Sequence, residues 1–189
     1  MTLVRDVHAT LDPAVIAARL LDRAATWLMA PAWAVITAEW SGQMIVLAGR
    51  GLDPASSQAA QSVAAWVMDA EAPFAAASLR DDERVAARWK GSVFALPLLS
   101  RGSAVGTLVA LDPVPSTSAP KLKAAMLATL RGLLEPAAGA LDAALRLKRA
   151  EALSVTDDLT HLYNSRYLNQ VLRRETKRAS RNGRPLSLL

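Results

Sequence analysis

The composition of this 189-residue chain excludes several kinds of chemistry. With no cysteine, it cannot form disulfides, thiolate metal sites, cysteine nucleophiles or thioether-linked chromophores. The net charge of +5 is unevenly divided, because residues 1–145 carry 12 basic and 13 acidic side chains whereas residues 146–189 carry 10 and 4. A hydrophobic fraction of 52% is ample for a packed domain, so we expect one such domain followed by a basic extension.

The first half of the chain predicts a helix, a strand pair and a second helix. Asp12 and Pro13 are typical of a helix start, and apolar residues then recur at helical spacing. Two β-prone runs, at residues 33–40 and 44–48, are joined by a short turn and predict a hairpin. The alanine-rich segment at residues 57–70 predicts the second helix.

The second half predicts the rest of a sheet and a long helix. A short strand at residues 74–78 is followed by a charged helix or loop at residues 81–90. Two apolar strands, at residues 92–99 and 104–111, enclose a glycine-containing turn and predict another hairpin. A helix from Pro120 to about Val155 ends this part of the chain. The order of elements predicts an α+β fold with a central antiparallel sheet.

The strand pair near residue 100 resembles a family of sensor domains. Residues 94–99, Phe-Ala-Leu-Pro-Leu-Leu, and residues 105–112, Val-Gly-Thr-Leu-Val-Ala-Leu-Asp, are similar to paired strands of GAF domains. The resemblance covers residues 12–145 and implies a GAF-like antiparallel sheet flanked by helices. It also implies a small-molecule effector in a cavity between the sheet and the helices beside it.

Four residues are candidates for lining that cavity. Trp66, Phe74 and Trp89 lie on the elements that would border it, and Arg80 could anchor an anion. The alternative interpretation of each is ordinary packing. The N-K-F-D-E motif of cyclic-nucleotide GAF domains is not found, and a GAF-type methionine sulfoxide reductase would need cysteine.

The long helix carries a seam of residues spaced alternately by four and three, which predicts a parallel pair of helices in a homodimer. We assign the dimer stalk to residues 136–156 and the sensor domain to residues 1–135, with Pro136 predicting a kink or break between them. The alternative is a helix packed on its own sheet. The stalk contacts would come from Leu141, Leu145, Lys148 and Ala152.

The segment that follows resembles a second family. Asp157, Leu159, Thr160, Leu162, Asn164 and Arg166 are similar to the D-x-L-T-G-L-x-N-R-R opening of GGDEF domains, the diguanylate cyclases. The resemblance implies that residues 157–189 are the truncated start of such a domain, with Asp157, Asn164 and Arg166 as hinge residues. Two positions depart from the family pattern: His161 replaces a glycine, and Ser165 replaces an arginine.

In the GGDEF family the carboxylates that hold Mg²⁺ lie beyond Leu189, so no residue of this chain is assigned a catalytic role. Mg²⁺ and GTP are expected only for the intact parent, and we expect no cofactor in this chain. The two histidines, His8 and His161, are not spaced as metal ligands. The resemblance implies the regulatory sensor portion of a diguanylate cyclase. The alternative is a non-catalytic dimerisation or protein-interaction module with no small-molecule ligand.

The chain also carries signals about location and nucleic acid. Its apolar runs are too short to cross a bilayer and its start lacks the apolar block of a signal peptide, so we expect a cytoplasmic protein with no membrane partner. The cationic side chains between residues 173 and 184 predict a solvated helix face rather than a nucleic-acid site, because no aromatic residue interleaves with them.

Overall fold

The computed structural model describes residues 12–26, 29–120, 124–153, 155–157, 160, 162–183 and 185–187, and for residues 124–129, 131 and 151–153 it describes the backbone alone. The chain divides into two compact units, residues 1–145 and residues 146–189. Over the described residues, no helix combines the length and the hydrophobicity needed to span a bilayer.

The described elements follow the order that the sequence predicts. They are α1 (Pro13–Ala24), β1 (Ala32–Ala38), β2 (Met44–Arg50), α2 (Pro54–Ala70), β3 (Phe74–Ala76), a 3₁₀ turn (Leu79–Asp81), β4 (Ser92–Ser100), β5 (Ser103–Asp112), α3 (Ala124–Leu153) and α4 (Ser165–Asn182). The boundary between the two units falls within α3.

Side-chain caps fix the starts of the first two helices. The Asp12 carboxylate accepts a hydrogen bond from the Ala14 amide at 2.9 Å, with proline at the first helical position. At α2, the Asp53 carboxylate accepts from the Ser56 amide at 2.6 Å while the Ser56 hydroxyl accepts from the Asp53 amide at 2.9 Å. This reciprocal capping box starts α2 at Pro54, three residues before the predicted start.

The sheet of the first unit has the order β2-β1-β5-β4-β3, and every neighbouring pair is antiparallel. Strand β1 is buried on both faces. Trp33 and Val35 point into one core, and Ala34 and Ile36 into the other. A strand covered on both sides reads as a continuous apolar run, which is how this segment appears in the sequence.

Each face of the sheet carries its own core. The first core packs α1 and α3 against the sheet and the second packs α2 and the connection from β3 to β4 against the opposite face. The α+β prediction with a central antiparallel sheet is therefore confirmed.

Helix α3 is described over Ala124–Leu153; Pro120, its predicted start, is not helical, and residues 121–123 lie outside the described residues. The helix continues through Pro136, so of the predicted kink or break, the break does not occur. Pro136 cannot donate to the carbonyl four residues before it. Its neighbours Leu133, Leu134 and Ala137 are buried in the first core, and this packing holds the helix together at the proline.

The second unit contains α4 and, before it, contacts among the described residues between 155 and 164. The Asn164 amide donates to the Val155 carbonyl at 2.9 Å, and an isolated β-bridge joins Thr156 to Tyr163. The rings of Tyr163 and Tyr167 pack with centroids 4.6 Å apart. No described residue of α4 is buried. Residues 185–187 have no regular structure, and residues 188–189 lie outside the described residues.

Candidate functional site

An aromatic pair joins α2 to the edge strand β3. Trp66 lies on α2 and Phe74 on β3, with ring centroids 5.3 Å apart and ring planes at 68°, an edge-to-face contact. Phe74 is fully buried and Trp66 is half-buried. The sequence analysis gives both residues as candidates for lining a ligand cavity, and in the structure their rings are in contact.

The guanidinium of Arg84 lies over the rings of Trp66 and Phe74. Its Cζ lies 4.0 Å from the Phe74 ring centroid and 5.2 Å from the Trp66 centroid. Such cation–π contacts contribute about 0.5–2 kcal/mol, more as water is excluded. Arg84 Nη2 also donates to the Ala75 carbonyl at 2.8 Å. The side chain therefore ties the loop after β3 back to that strand.

Asp82 fixes the position of Arg84. The carboxylate accepts hydrogen bonds from Arg84 Nε at 2.9 Å and Nη2 at 2.6 Å. These hydrogen bonds hold the pKa of Asp82 below its ordinary value of 3.8 and raise the pKa of Arg84. The charged Arg84 guanidinium over the two rings is therefore paired with a charged carboxylate at neutral pH.

Arg80 and Trp89 lie in the same β3–β4 connection. Arg80 is exposed on the 3₁₀ turn. Trp89 is half-buried with its ring against Gly91, where an added Cβ would come within 2.4 Å of Trp89 Cζ3. The Leu79 amide donates to the Gly91 carbonyl at 2.9 Å and closes the base of the loop. Ligand contact by Arg80 or Trp89 stays a prediction.

Side chains of the chain itself occupy much of the space under this loop. Val67, Phe74 and Leu79 are each 0% exposed, and Val85 is 6% exposed. All four belong to the second core. The face of the sheet that α2 covers is therefore lined by buried, closely packed apolar side chains.

One polar atom in this part of the fold has no partner among the described residues. Thr107, on β5, is 0% exposed, and its Oγ1 forms no hydrogen bond within the described part of the chain. Alternation along the strand places it on the same face as Val109 and Leu111, which belong to the second core. An unpaired buried hydroxyl costs about 1–3 kcal/mol. Thr107 is therefore a candidate contact for a polar ligand on the α2 face.

An apolar cavity of about 10 Å³ lies in the first core, beside Trp33, Phe94 and Leu130. This space suffices for about one water molecule. It is too small to hold an effector. Among the described residues, no three His, Asp or Glu side chains are grouped so that they could hold a metal ion.

The predicted hinge residues lie in the second unit. The Asp157 carboxylate accepts from the amide and the hydroxyl of Thr160, both at 2.9 Å. The Asn164 side chain caps α4 by accepting from the backbone N–H three residues later at 2.9 Å. Arg166 is exposed on the first turn of α4, and His161 lies outside the described residues. These contacts order a compact corner, while a hinge movement there stays a prediction.

The predicted stalk residues fall in different environments. Leu141 is buried in the first core and Leu145 packs against that core. Their spacing assigned them to the dimer stalk, but both side chains pack in the first core of their own chain. Lys148 is exposed, and the side chain of Ala152 lies outside the described residues. The homodimer stays a prediction.

Sequence reasoning missed three residues of this region: Asp82, Arg84 and Thr107. The first two lie two residues apart in a charged segment, which is a weak signal for a local ion pair. Thr107 carries no signal of its own, because a threonine within a strand is ordinary.

The solved structures similar to this chain include GAF domains from three bacteria. The GAF domain of an Acinetobacter phosphoenolpyruvate-protein phosphotransferase matches with a TM-score of 0.59 and 17% identity, over 82% of this chain and 94% of that one. The corresponding domain from Coxiella burnetii matches with a TM-score of 0.59 and 18% identity, over 79% and 93%. The GAF-B domain of DevS from Mycobacterium smegmatis matches with a TM-score of 0.52 and 23% identity, over 74% of this chain and 99% of that one.

The chain therefore has the fold of GAF domains, as the strand pair near residue 100 predicts. No family model matches the sequence, and no curated protein is significantly similar to it. The resemblance of residues 157–189 to a GGDEF domain stays a prediction.

Proposed function

We propose that this chain is the regulatory sensor portion of a diguanylate cyclase, an enzyme that makes cyclic di-GMP from two GTP molecules. The GAF fold supports the sensor part of the proposal. The motif between Asp157 and Arg166 supports the cyclase part. On this proposal, the catalytic carboxylates and their Mg²⁺ would belong to the intact cyclase and not to residues 1–189.

The observation that carries the sensor role is the buried hydroxyl of Thr107, which has no hydrogen-bond partner among the described residues. A small molecule bound between the sheet and α2 would satisfy this hydroxyl and recover the free energy that its burial costs. Thr107 lies two residues from Val109 on β5. Val109 is paired across the sheet with Ala95 on β4, and Ala95 is paired in turn with Phe74 on β3. The hydroxyl and the aromatic pair thus belong to one region of the same face, where an effector could reach both.

The proposed signal leaves this domain through α3. The helix packs on the sheet up to Ala144 and continues to Leu153. In a homodimer, an effector would bias the pairing of the two α3 helices beyond Leu145 and thereby bring two cyclase domains together or apart.

The cyclase part has a direct test. The reading frame beyond Leu189 is expected to encode the GGDEF loop, and the complete protein is expected to form cyclic di-GMP from GTP and Mg²⁺. A reading frame without that loop, or no product from a folded full-length dimer, would contradict the cyclase assignment. Neither result would affect the GAF fold.

A second candidate function is a dimerisation or protein-interaction module with no small-molecule ligand. The full burial of Val67, Phe74 and Leu79 favours it, because these side chains already fill space on the α2 face. Native mass spectrometry of the purified chain separates the two candidates. A co-purified small molecule that is lost in Thr107→Val supports the sensor, and a ligand-free dimer supports the interaction module.

A further inference from the structure

The turn between β4 and β5 is contacted by carboxylates from two helices on opposite faces of the sheet. Arg101 and Gly102 form its centre with φ of 53° and 85°. Positive φ at both central residues defines a type I′ hairpin turn, which favours glycine and asparagine. Arginine at the first of these positions is unfavourable by itself, so its neighbours must stabilise this backbone.

The first carboxylate comes from α3. Asp142 is only 6% exposed, and its Oδ2 accepts from the Ser100 hydroxyl at 3.1 Å and lies 3.8 Å from Arg101 Nε. A buried carboxylate needs such partners, since an unpaired buried charge is strongly destabilising. Next to this contact α3 lies close to β5, where a Cβ added at Gly106 would be 3.4 Å from Leu141 Cδ2. The turn is therefore tied to α3.

The second carboxylate comes from the end of α2. Glu71 caps this helix with a left-handed backbone, φ 49°, and its Oε1 accepts from the Ala104 amide at 3.2 Å. In the described part of the chain, Glu71 and Arg101 are the only residues other than glycine with positive φ. Both of these unfavourable conformations lie at the contacts that link the two helices to one turn.

We propose that the β4–β5 turn couples α2 to α3. A shift of the C-terminal end of α2 moves Glu71 and Ala104, and the turn passes that shift to Asp142. Because α2 borders the proposed effector site and α3 leads out of the domain, this contact would be the route by which occupancy reaches the output helix. The regulatory role rests on the proposed sensor function, whereas the coupling itself is a property of the chain without effector. It must act equally in both directions.

A double-mutant cycle on the chain alone tests the coupling. Glu71→Ala, Asp142→Ala and the double variant are unfolded with urea. If the turn links the two sites, removing one contact leaves less for the second change to disrupt. The fold change in the unfolding equilibrium constant of the double variant should then be at least about threefold below the product of the two single fold changes. Hydrogen exchange should also rise around residue 142 in Glu71→Ala, and at the end of α2 in Asp142→Ala.

Three further variants make the result decisive. Asp69→Ala removes an exposed carboxylate from the same helix turn and should combine additively with Asp142→Ala. Glu71→Gln keeps an acceptor oxygen for the Ala104 amide, so its unfolding equilibrium constant and its hydrogen exchange around Asp142 should stay close to those of wild type. Ser100→Ala removes the donor to Asp142 and replaces Asp142→Ala if that variant does not fold. Additive cycles of Glu71→Ala with both Asp142→Ala and Ser100→Ala would overturn the proposal and leave the sensor function untouched, because the assay contains no effector and no cyclase.

Discussion

Two buried threonines show how the same side chain can have opposite consequences for stability. Thr37 and Thr107 are 1% and 0% exposed. The Thr37 hydroxyl donates to the Val105 carbonyl at 2.8 Å, whereas the Thr107 hydroxyl has no partner among the described residues. Burial alone therefore does not distinguish a structural hydroxyl from one available to a ligand.

Substitution by valine separates the two roles. Thr37→Val should lower the free energy of unfolding by about 1 kcal/mol, because it removes the hydrogen bond to the Val105 carbonyl. Thr107→Val should leave that free energy unchanged or raise it by about 1 kcal/mol, because an apolar group replaces an unsatisfied hydroxyl. Urea unfolding of the two variants measures the difference. Equal destabilisation by both would mean that Thr107 has a partner in solution.

The Asp82–Arg84 pair predicts a dependence of stability on pH. The pKa of Asp82 is lowered on folding, so its contribution is fully present above the ordinary value of 3.8 and is lost as the pH falls through the lower folded pKa. Asp82→Asn should cost on the order of 1 kcal/mol at neutral pH, a modest value because Arg84 is 39% exposed. The gap between wild type and variant should close in strong acid, as urea unfolding across pH would show.

A control for this pair is Asp22→Asn. Asp22 pairs with Arg50, and their side chains are 66% and 55% exposed. Such a solvated pair contributes little. A gap for Asp82→Asn that persists unchanged in strong acid would show that the pair is not the cause of its stability loss.

At the scale of elements, a glycine in a strand leaves no room for a side chain, whereas a glycine in a helix does. A Cβ at Gly106 on β5 would lie 2.9 Å from the Ile36 carbonyl oxygen, whereas a Cβ at Gly139 on α3 would meet nothing within 4 Å. Gly106→Ala should therefore lower the free energy of unfolding by about 1–3 kcal/mol through strain. Gly139→Ala should raise the free energy of unfolding by roughly 0.5–1 kcal/mol, because alanine has less backbone freedom than glycine in the unfolded chain. Thermal unfolding of both variants would contradict this account if their shifts had the same sign.

The elements that sequence predicted well are those with local causes. The hairpins follow from apolar runs separated by glycine-containing turns, and α2 follows from its alanine-rich face. The continuity of α3 through Pro136 could not be predicted, because it depends on the burial of Leu133, Leu134 and Ala137 against a distant sheet.

The candidate site shows the same limit. The positions of Trp66 and Phe74 follow from the helix and strand that carry them. The sequence does not show which arginine contacts the two rings, because Arg80 and Arg84 lie in a segment without regular periodicity. Only tertiary packing places Arg84 there. The role of Asp142 was missed for the same reason, because its partners on the β4–β5 turn are about forty residues away in sequence.

At the scale of the whole molecule, the proposed homodimer can be tested at the exposed end of α3. A parallel helix pair places the two Lys148 side chains near each other at the seam, where their like charges weaken association. Lys148→Leu should therefore lower the dimer dissociation constant, as measured by sedimentation equilibrium. Arg149→Leu, an exposed cation outside the seam, should not. Equal effects of the two substitutions, or monomers throughout, would contradict a dimer of this geometry.

The division into two units has a spectroscopic consequence. All five tryptophans precede residue 90, and the chain's two tyrosines are the packed pair Tyr163 and Tyr167. Fluorescence excited at wavelengths that only indole absorbs thus reports on residues 1–145, and phenol absorbance changes report on residues 146–189. A single unlabelled sample carries one optical reporter for each unit. Thermal unfolding followed with both signals would show whether residues 1–145 and residues 146–189 unfold in one transition or in two.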